Sequence, residues 1–228
     1  MIKIYRNLEI GEILTVGADI GEGVSYCAAV ALSQKYKDTP LTFHSRIESS
    51  QFGYELYNIG LYIKKKTGEF PLLAIERNIG QATIAKIKDL EYPSHKLYKQ
   101  KTFDRVMNKE EERIGWVTTS ANRRKMLDDL AMDIRKKELK IYDEDILSEM
   151  LTFVINERTN EPRPESGRFS DLIMALAICN QIIKTTGNQA KWESRQNQKP
   201  EDKRRLPAIA EGFIVEKFQD HKQDWRTV

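Results

Sequence analysis

Histidine and cysteine are scarce in these 228 residues: three His (His44, His95, His221) and two Cys. Such a set does not build a zinc site of the usual His/Cys kind, and it offers little to a Cys–His or Ser–His nucleophile. Cys27 and Cys179 lie inside apolar runs, so they read as small core residues of a reducing compartment. Apolar runs all stay under ten residues, which excludes a transmembrane helix, and residues 1–6 hold no signal-peptide apolar segment. No G-x-x-x-x-G-K-[ST] phosphate loop is present. A strong charge of one sign is missing too. The chain carries 37 basic and 34 acidic side chains, and its excess of three lies wholly in residues 184–228, which hold 10 basic and 7 acidic ones. The balanced remainder does not resemble a purely electrostatic nucleic-acid binder. Any metal ligands must then be carboxylates, which favours Mg²⁺ or Mn²⁺.

What is present is a pattern of strands followed by helices. Residues 13–20 are a near-continuous apolar run, as expected of a central strand covered on both faces. A second run over 24–32 and an alternating one over 41–47 predict two more strands. Phe52, Leu56, Ile59 and Ile63 recur three or four apart, predicting a helix over about 51–66 that stops at Gly68. Residues 72–76 form strand four, a helix carrying Ile84, Ile87 and Leu90 follows, and 95–98 is expected as strand five. The charged segment 99–113 suits a protruding hairpin or loop. Helices are expected from the 118–121 region to about 139, over 144–155 and over 171–184, with a short strand at 140–142. The Pro-containing stretch 156–168 reads as a loop, and Ser170 is a suitable N-cap. This order predicts a mixed α/β sheet, without the strict βαβ alternation of a dinucleotide-binding fold. Two regions follow: a domain over 1–185 and a polar tail over 186–228 that is mobile or docks a partner.

Three acids stand at the edges of the most apolar stretches. Asp19 closes the first strand, Glu76 closes the fourth, and Asp171 opens the last apolar helix. A carboxylate beside a buried strand loses hydration, and a cation offsets that cost. If the first and fourth strands are neighbours, about 4.8 Å apart, Asp19 and Glu76 can share a cation at matching ends. Asp171 then approaches from the face of the sheet. Singly, each acid also has a plainer reading as an Asx turn, a surface ion pair or a helix-terminus charge.

Five blocks carry a resemblance. They are Gly17-Ala18-Asp19-Ile20-Gly21-Glu22-Gly23, Ala74-Ile75-Glu76-Arg77-Asn78-Ile79-Gly80 and Gly115-Trp116-Val117-Thr118-Thr119. Next come Asp145-Ile146-Leu147-Ser148-Glu149-Met150-Leu151-Thr152-Phe153 and Ser170-Asp171-Leu172-Ile173-Met174-Ala175-Leu176-Ala177. In this order they resemble the nuclease domain of phage terminase large subunits. The resemblance implies a ribonuclease H-like fold, a central mixed sheet of five or more strands flanked by helices. It implies metal-dependent cleavage of concatemeric double-stranded DNA during genome packaging, in the cytoplasm of the infected host cell. Asp19, Glu76 and Asp171 match the family's metal-binding acids, which would hold two Mg²⁺ or Mn²⁺ ions. Ser170 stands where the family often has a further acid, and Glu22 is a candidate for an extra ligand. The missing phosphate loop implies a nuclease domain without its ATPase. A Holliday-junction resolvase-like nuclease and a non-catalytic docking module on DNA or portal remain as alternatives.

Double-stranded DNA is the expected partner, with phosphate contacts from Lys99, Lys101, Arg105, Arg123 and Arg124 around the hairpin and the helix after it. Glu110, Glu111, Glu112, Asp128 and Asp129 lie among them, so a solvated charge run is the plainer reading. By the same resemblance the portal or procapsid and the small terminase subunit are expected partners. Phe213, Ile214, Phe218 and Trp225 are the candidate anchors in the tail.

Overall fold

The computed structural model describes residues 1–21, 25–104, 108–156, 158 and 162–197; for 102–104 and 187–197 only the backbone is described. The chain divides into Met1–Thr186 and Gly187–Val228, and the fold below is that of the first unit. Glu22, Arg105 and the four apolar anchors of the tail lie outside the described residues.

Strands β1 (Ile2–Ile4), β2 (Leu14–Asp19), β3 (Cys27–Ser33), β4 (Leu41–Ser45) and β5 (Leu72–Ile75) form one mixed sheet in the order β1-β4-β3-β2-β5. All pairs are antiparallel except β2 with β5, which are parallel with Ala18 opposite Ile75. Period-two alternation sorts the side chains onto two faces. Val16, Ala18, Ala29, Phe43, Leu73 and Ile75 pack on one face against Phe52, Leu56, Ile59 and Ile63 of α1 (Ser49–Thr67) and Ile84 and Ile87 of α2 (Gln81–Asp89). The other face carries Ala28, Val30, Leu32 and Ala74. It is covered by Met126 and Leu130 of α3 (Ser120–Arg135), Ile146 of α4 (Glu144–Leu151) and Leu172, Leu176 and Cys179 of α5 (Asp171–Asn197). This is a ribonuclease H-like α/β architecture, with helices on both faces of a central mixed sheet.

Close packing of α5 on β2 depends on one residue. A Cβ at Gly17 would come within 2.2 Å of the Ala175 carbonyl oxygen and 2.9 Å of the Cys179 nitrogen, so the helix backbone rests directly on the strand. That contact is one turn from Asp171 and sets where the helix begins over the sheet.

Several expectations need correction. Residues 94–96 form a 3₁₀ turn, and Leu97 makes only an isolated bridge to Leu73 before the chain leaves the sheet. The fifth strand is instead β1, three residues too short to show a pattern of its own. Helix α4 stops at Leu151 rather than near 155, because Phe153-Val154-Ile155 suits an extended chain better than a helix. That strand, β8, pairs with β9 (Pro162–Pro164) inside the region expected to be loop. Proline is tolerated there because a two-stranded ribbon has free edges that need no N–H. Residues 140–142 contribute a single parallel bridge, Asp38 to Lys140, rather than a strand. Helix α5 continues past Lys184 to Asn197. The hairpin is present, as β6 (Lys99–Asp104) and β7 (Lys109–Ile114). No helix among the described residues is long and apolar enough to cross a membrane.

Candidate active site

The register of the sheet lines up one row of residues. Asp19 is opposite Ala28, and Ala28 is opposite His44. On the parallel side the Glu76 N–H donates to the Ala18 carbonyl at 2.8 Å, which continues the β2–β5 pairing to the next residue. Asp19, Glu76 and His44 therefore share the face that Ala28 and Ala74 bury under α5. Beyond β5, Gly115 and Trp116 extend the row: the Trp116 N–H donates to the Ile75 carbonyl at 2.8 Å, and the Arg77 N–H donates to the Trp116 carbonyl at 2.7 Å. Gly115 has φ +98°, and a Cβ there would approach the Ile75 oxygen to 2.7 Å, so glycine is what lets the chain turn back along β5.

Asp171 comes from the opposite layer, at the start of α5. Its Oδ2 accepts a long hydrogen bond from the Tyr26 N–H (3.4 Å) and lies 3.9 Å from Nε2 of His44. The Ser170 carbonyl accepts from the Met174 N–H, so the helix starts where the N-cap reading placed it. Glu149 is the acid that the sequence reading did not place at the site. It sits on α4 and is 8% exposed. Its two carboxylate oxygens accept from the N–H groups of Leu172 (3.4 Å) and Ile173 (3.0 Å), which are unpaired donors of the first turn of α5. A signal was present in the sequence: Ile146, Glu149 and Met150 follow helical spacing, which puts Glu149 on the buried side of α4.

Crowding shows in the proton affinities. Asp19 keeps some surface exposure, yet its carboxyl is packed among protein atoms. Desolvation, a hydrogen bond with Glu76, and the charges of Glu76, Asp171 and Glu149 hold it well above the usual carboxylate range. Like charges this close, in a site stripped of water, disfavour the ionised form of Asp19. Burial pushes Glu149 up to about 7, against the opposing pull of the Ile173 and Leu172 N–H groups and of His44. Among the described residues, no three His, Cys, Asp or Glu side chains stand close enough to hold a metal ion as they are. The arrangement is one crowded, desolvated carboxyl, Asp19, with three acidic neighbours. Among the described residues three buried side-chain polar atoms have no hydrogen-bond partner: His44 Nε2, 3.9 Å from Asp171, Trp116 Nε1, of the residue bridged to Glu76, and Thr118 Oγ1.

The basic residues are more scattered. Lys101 is exposed and lies 3.9 Å from Glu112 across the hairpin, while Lys99 is exposed at the hairpin base. The Arg123 Nη1 donates to the Pro162 carbonyl at 3.0 Å, tying α3 to β9. The Arg124 Nε lies 3.8 Å from Asp128 along α3. Arg105 lies outside the described residues.

No protein-family model matches the chain, and no curated protein matches its sequence. Solved structures do match in fold. The large terminase nuclease from thermophilic phage G20c superposes with a TM-score of 0.59 at 15% identity, over 79% of this chain and 87% of that one. The same nuclease has been solved with bound magnesium, at the same TM-score. The large terminase nuclease domain of Thermus phage P74-26 gives 0.53 at 14% identity, over 78% of this chain and 83% of that one. The human cytomegalovirus terminase nuclease domain, Mn-soaked and inhibitor-bound, gives 0.51 at 15% identity, over 76% and 83%. This chain has the ribonuclease H-like fold of the large terminase nuclease domains.

Proposed function

We propose that the chain is the nuclease domain of a viral terminase large subunit, a metal-dependent endonuclease that cuts concatemeric double-stranded DNA during genome packaging in the infected host cell. The observation that supports it most is the meeting of Asp19, Glu76 and Asp171, from three distant segments, at one end of β2 and β5 in a fold shared with such nucleases. Asp19, Glu76 and Asp171 would hold two Mg²⁺ or Mn²⁺ ions. The donor set fits in its chemistry: every ligand is a hard carboxylate oxygen, and a cation would offset the desolvation and like-charge crowding around Asp19. When bound, the ions supply Lewis-acid stabilisation of the phosphate oxygens and lower the pKa of the attacking water. The protein's own part is positioning. Gly17 seats α5 on β2, Glu149 holds the first turn of α5, and the Tyr26 N–H orients the Asp171 carboxylate. Lys99, Lys101, Arg105, Arg123 and Arg124 would contact phosphates on either side of the cut. The ion pairs of Lys101 with Glu112 and of Arg124 with Asp128 are exposed ones, each contributing about 0–1 kcal/mol, so their exchange for phosphate costs little. The portal or procapsid, reached through residues 186–228, and the small terminase subunit would be its partners.

A plasmid-nicking assay with Mn²⁺ tests this reading. The wild-type protein is expected to nick and linearise the plasmid, and Asp171→Ala to lose activity by about a hundredfold or more, as for loss of a principal charge-stabilising group. Undiminished cleavage by Asp171→Ala would overturn the assignment.

A further inference from the structure

Next to the acids lies a cavity of about 360 Å³, whose lining includes Tyr26, His44, Glu149, Arg168, Phe169 and Asp145, the last paired with Lys3. Its size is within the ~300–1,000 Å³ range of ligand sites. The aromatic side chains form a connected group. Tyr26 and Phe169 meet edge-to-face with ring centroids 5.1 Å apart, and Tyr26 and His44 lie 4.3 Å apart. The Arg46 guanidinium sits 4.5 Å from the Tyr26 centroid and 5.7 Å from that of Phe169, both within cation–π range.

A plain packing role does not account for this group. Neither Tyr26 nor Phe169 belongs to the two core clusters, and Phe169 stays 37% exposed. Arg46 and Arg168 are exposed, and among the described residues no carboxylate forms an ion pair with either. An exposed ring beside two guanidiniums that have no carboxylate partner is the chemistry that receives a base and a phosphate together. The cavity also adjoins the acids directly. Asp171 accepts from the Tyr26 N–H, His44 Nε2 lies 3.9 Å from Asp171 with no hydrogen-bond partner, and Phe169 is two residues from Asp171 in the chain.

We propose that this cavity is a nucleotide subsite: an unstacked base of the bound strand, close to the phosphate to be cut, packs on the exposed surface of Phe169, and Arg46 and Arg168 bind the adjoining phosphates. The proposal rests on the nuclease reading for what the strand is, and it adds a preference. A base can reach Phe169 only when it has left its stack, so DNA that is single-stranded or frayed beside the cut binds better than continuous duplex.

Fluorescence anisotropy in EDTA, with the full chain and a short labelled single strand or its duplex, separates this subsite from cleavage. The wild type is expected to bind the single strand more tightly than the duplex. Phe169→Ala should weaken single-strand binding by about fivefold or more, the lower end of a base–aromatic stack. Phe169→Tyr should restore it, and Arg46→Gln should weaken both probes. Equal wild-type affinity for the two probes, or wild-type affinity in both Phe169→Ala and Arg46→Gln, overturns the proposal. The melting temperature of each variant is recorded alongside. If Phe169→Ala does not fold, failure of Arg46→Gln to weaken either probe overturns the proposal by itself. The nuclease reading is judged separately, by Mn²⁺-dependent nicking of wild type and Asp171→Ala. Those cleavage results can stand while the anisotropy fails, and the reverse.

Discussion

Asp19 shows what a single carboxyl does when three others surround it. Its raised proton affinity follows from desolvation and from Glu76, Asp171 and Glu149. Glu149 has the same sign, about 7 in the folded chain against 4.5 without the fold. Between those two values the native state keeps a proton that the unfolded chain has released. Stability therefore falls as pH rises through this window. Thermal melts in EDTA are expected to show a lower melting temperature at pH 8 than at pH 5, with Glu149 contributing about 3 kcal/mol of the loss. Glu149→Gln, which cannot ionise, should flatten the pH dependence. A Gln variant with the wild-type pH slope would show that Glu149 is not the group responsible. Mn²⁺ should act in the opposite direction, raising the melting temperature most at high pH, where the acids are ionised and free to bind it.

Helix α5 owes its placement to the strand beneath it. With 2.2 Å available to a Cβ at Gly17, Gly17→Ala must push α5 off β2 or distort the strand. A cost of about 1–3 kcal/mol is expected, as for other overpacked sites. Because the helix carries Asp171, nicking should fall by more than the stability loss explains, measured at a temperature where the variant is fully folded. Helix α3 has a simpler dependence. Thr119 and Asn122 cap its first turn reciprocally, the Asn122 N–H donating to Thr119 Oγ1 at 3.2 Å and the Thr119 N–H to Asn122 Oδ1 at 2.7 Å. Thr119→Ala should cost about 1 kcal/mol in a denaturant melt. It should leave Mn²⁺-dependent nicking nearly unchanged, since neither residue is among the acids. The strands that periodicity revealed, β2 to β5, are those whose alternation or apolar content reflects burial on two faces. β1, β8 and β9 were not legible in advance, since a three-residue strand is defined by its partner rather than by its own pattern.

Across the whole chain, the charge balance limits how DNA can be held. Residues 1–183 are neutral, so attraction must come from local groups rather than from a field around the protein. If four to six of the basic side chains named above contact phosphates, log K against log salt for duplex binding should have a slope of about −3.6 to −5.4. A slope near zero would remove these residues from the interface. Anisotropy titrations over a range of NaCl concentrations measure it directly.

Local patterning determined a good part of this protein. Four sheet strands, most of the helices and the three acids at the ends of apolar segments were readable, because burial on one or both faces leaves a periodic trace. The segment 99–113, exposed along β7, showed only its charge, which suited a hairpin or a loop alike. Which segments meet left no such trace. That Asp19 lies opposite Ala28 and Ala28 opposite His44 is a matter of register between strands, and only pairing in space fixes it. The same holds for Glu149, whose role depends on α4 delivering it to the first turn of α5. Its proton affinity, and that of Asp19, arise from charges and desolvation contributed by separate elements. Electrostatic energy depends on distances between groups far apart in the chain, and those distances exist only once the layers have packed.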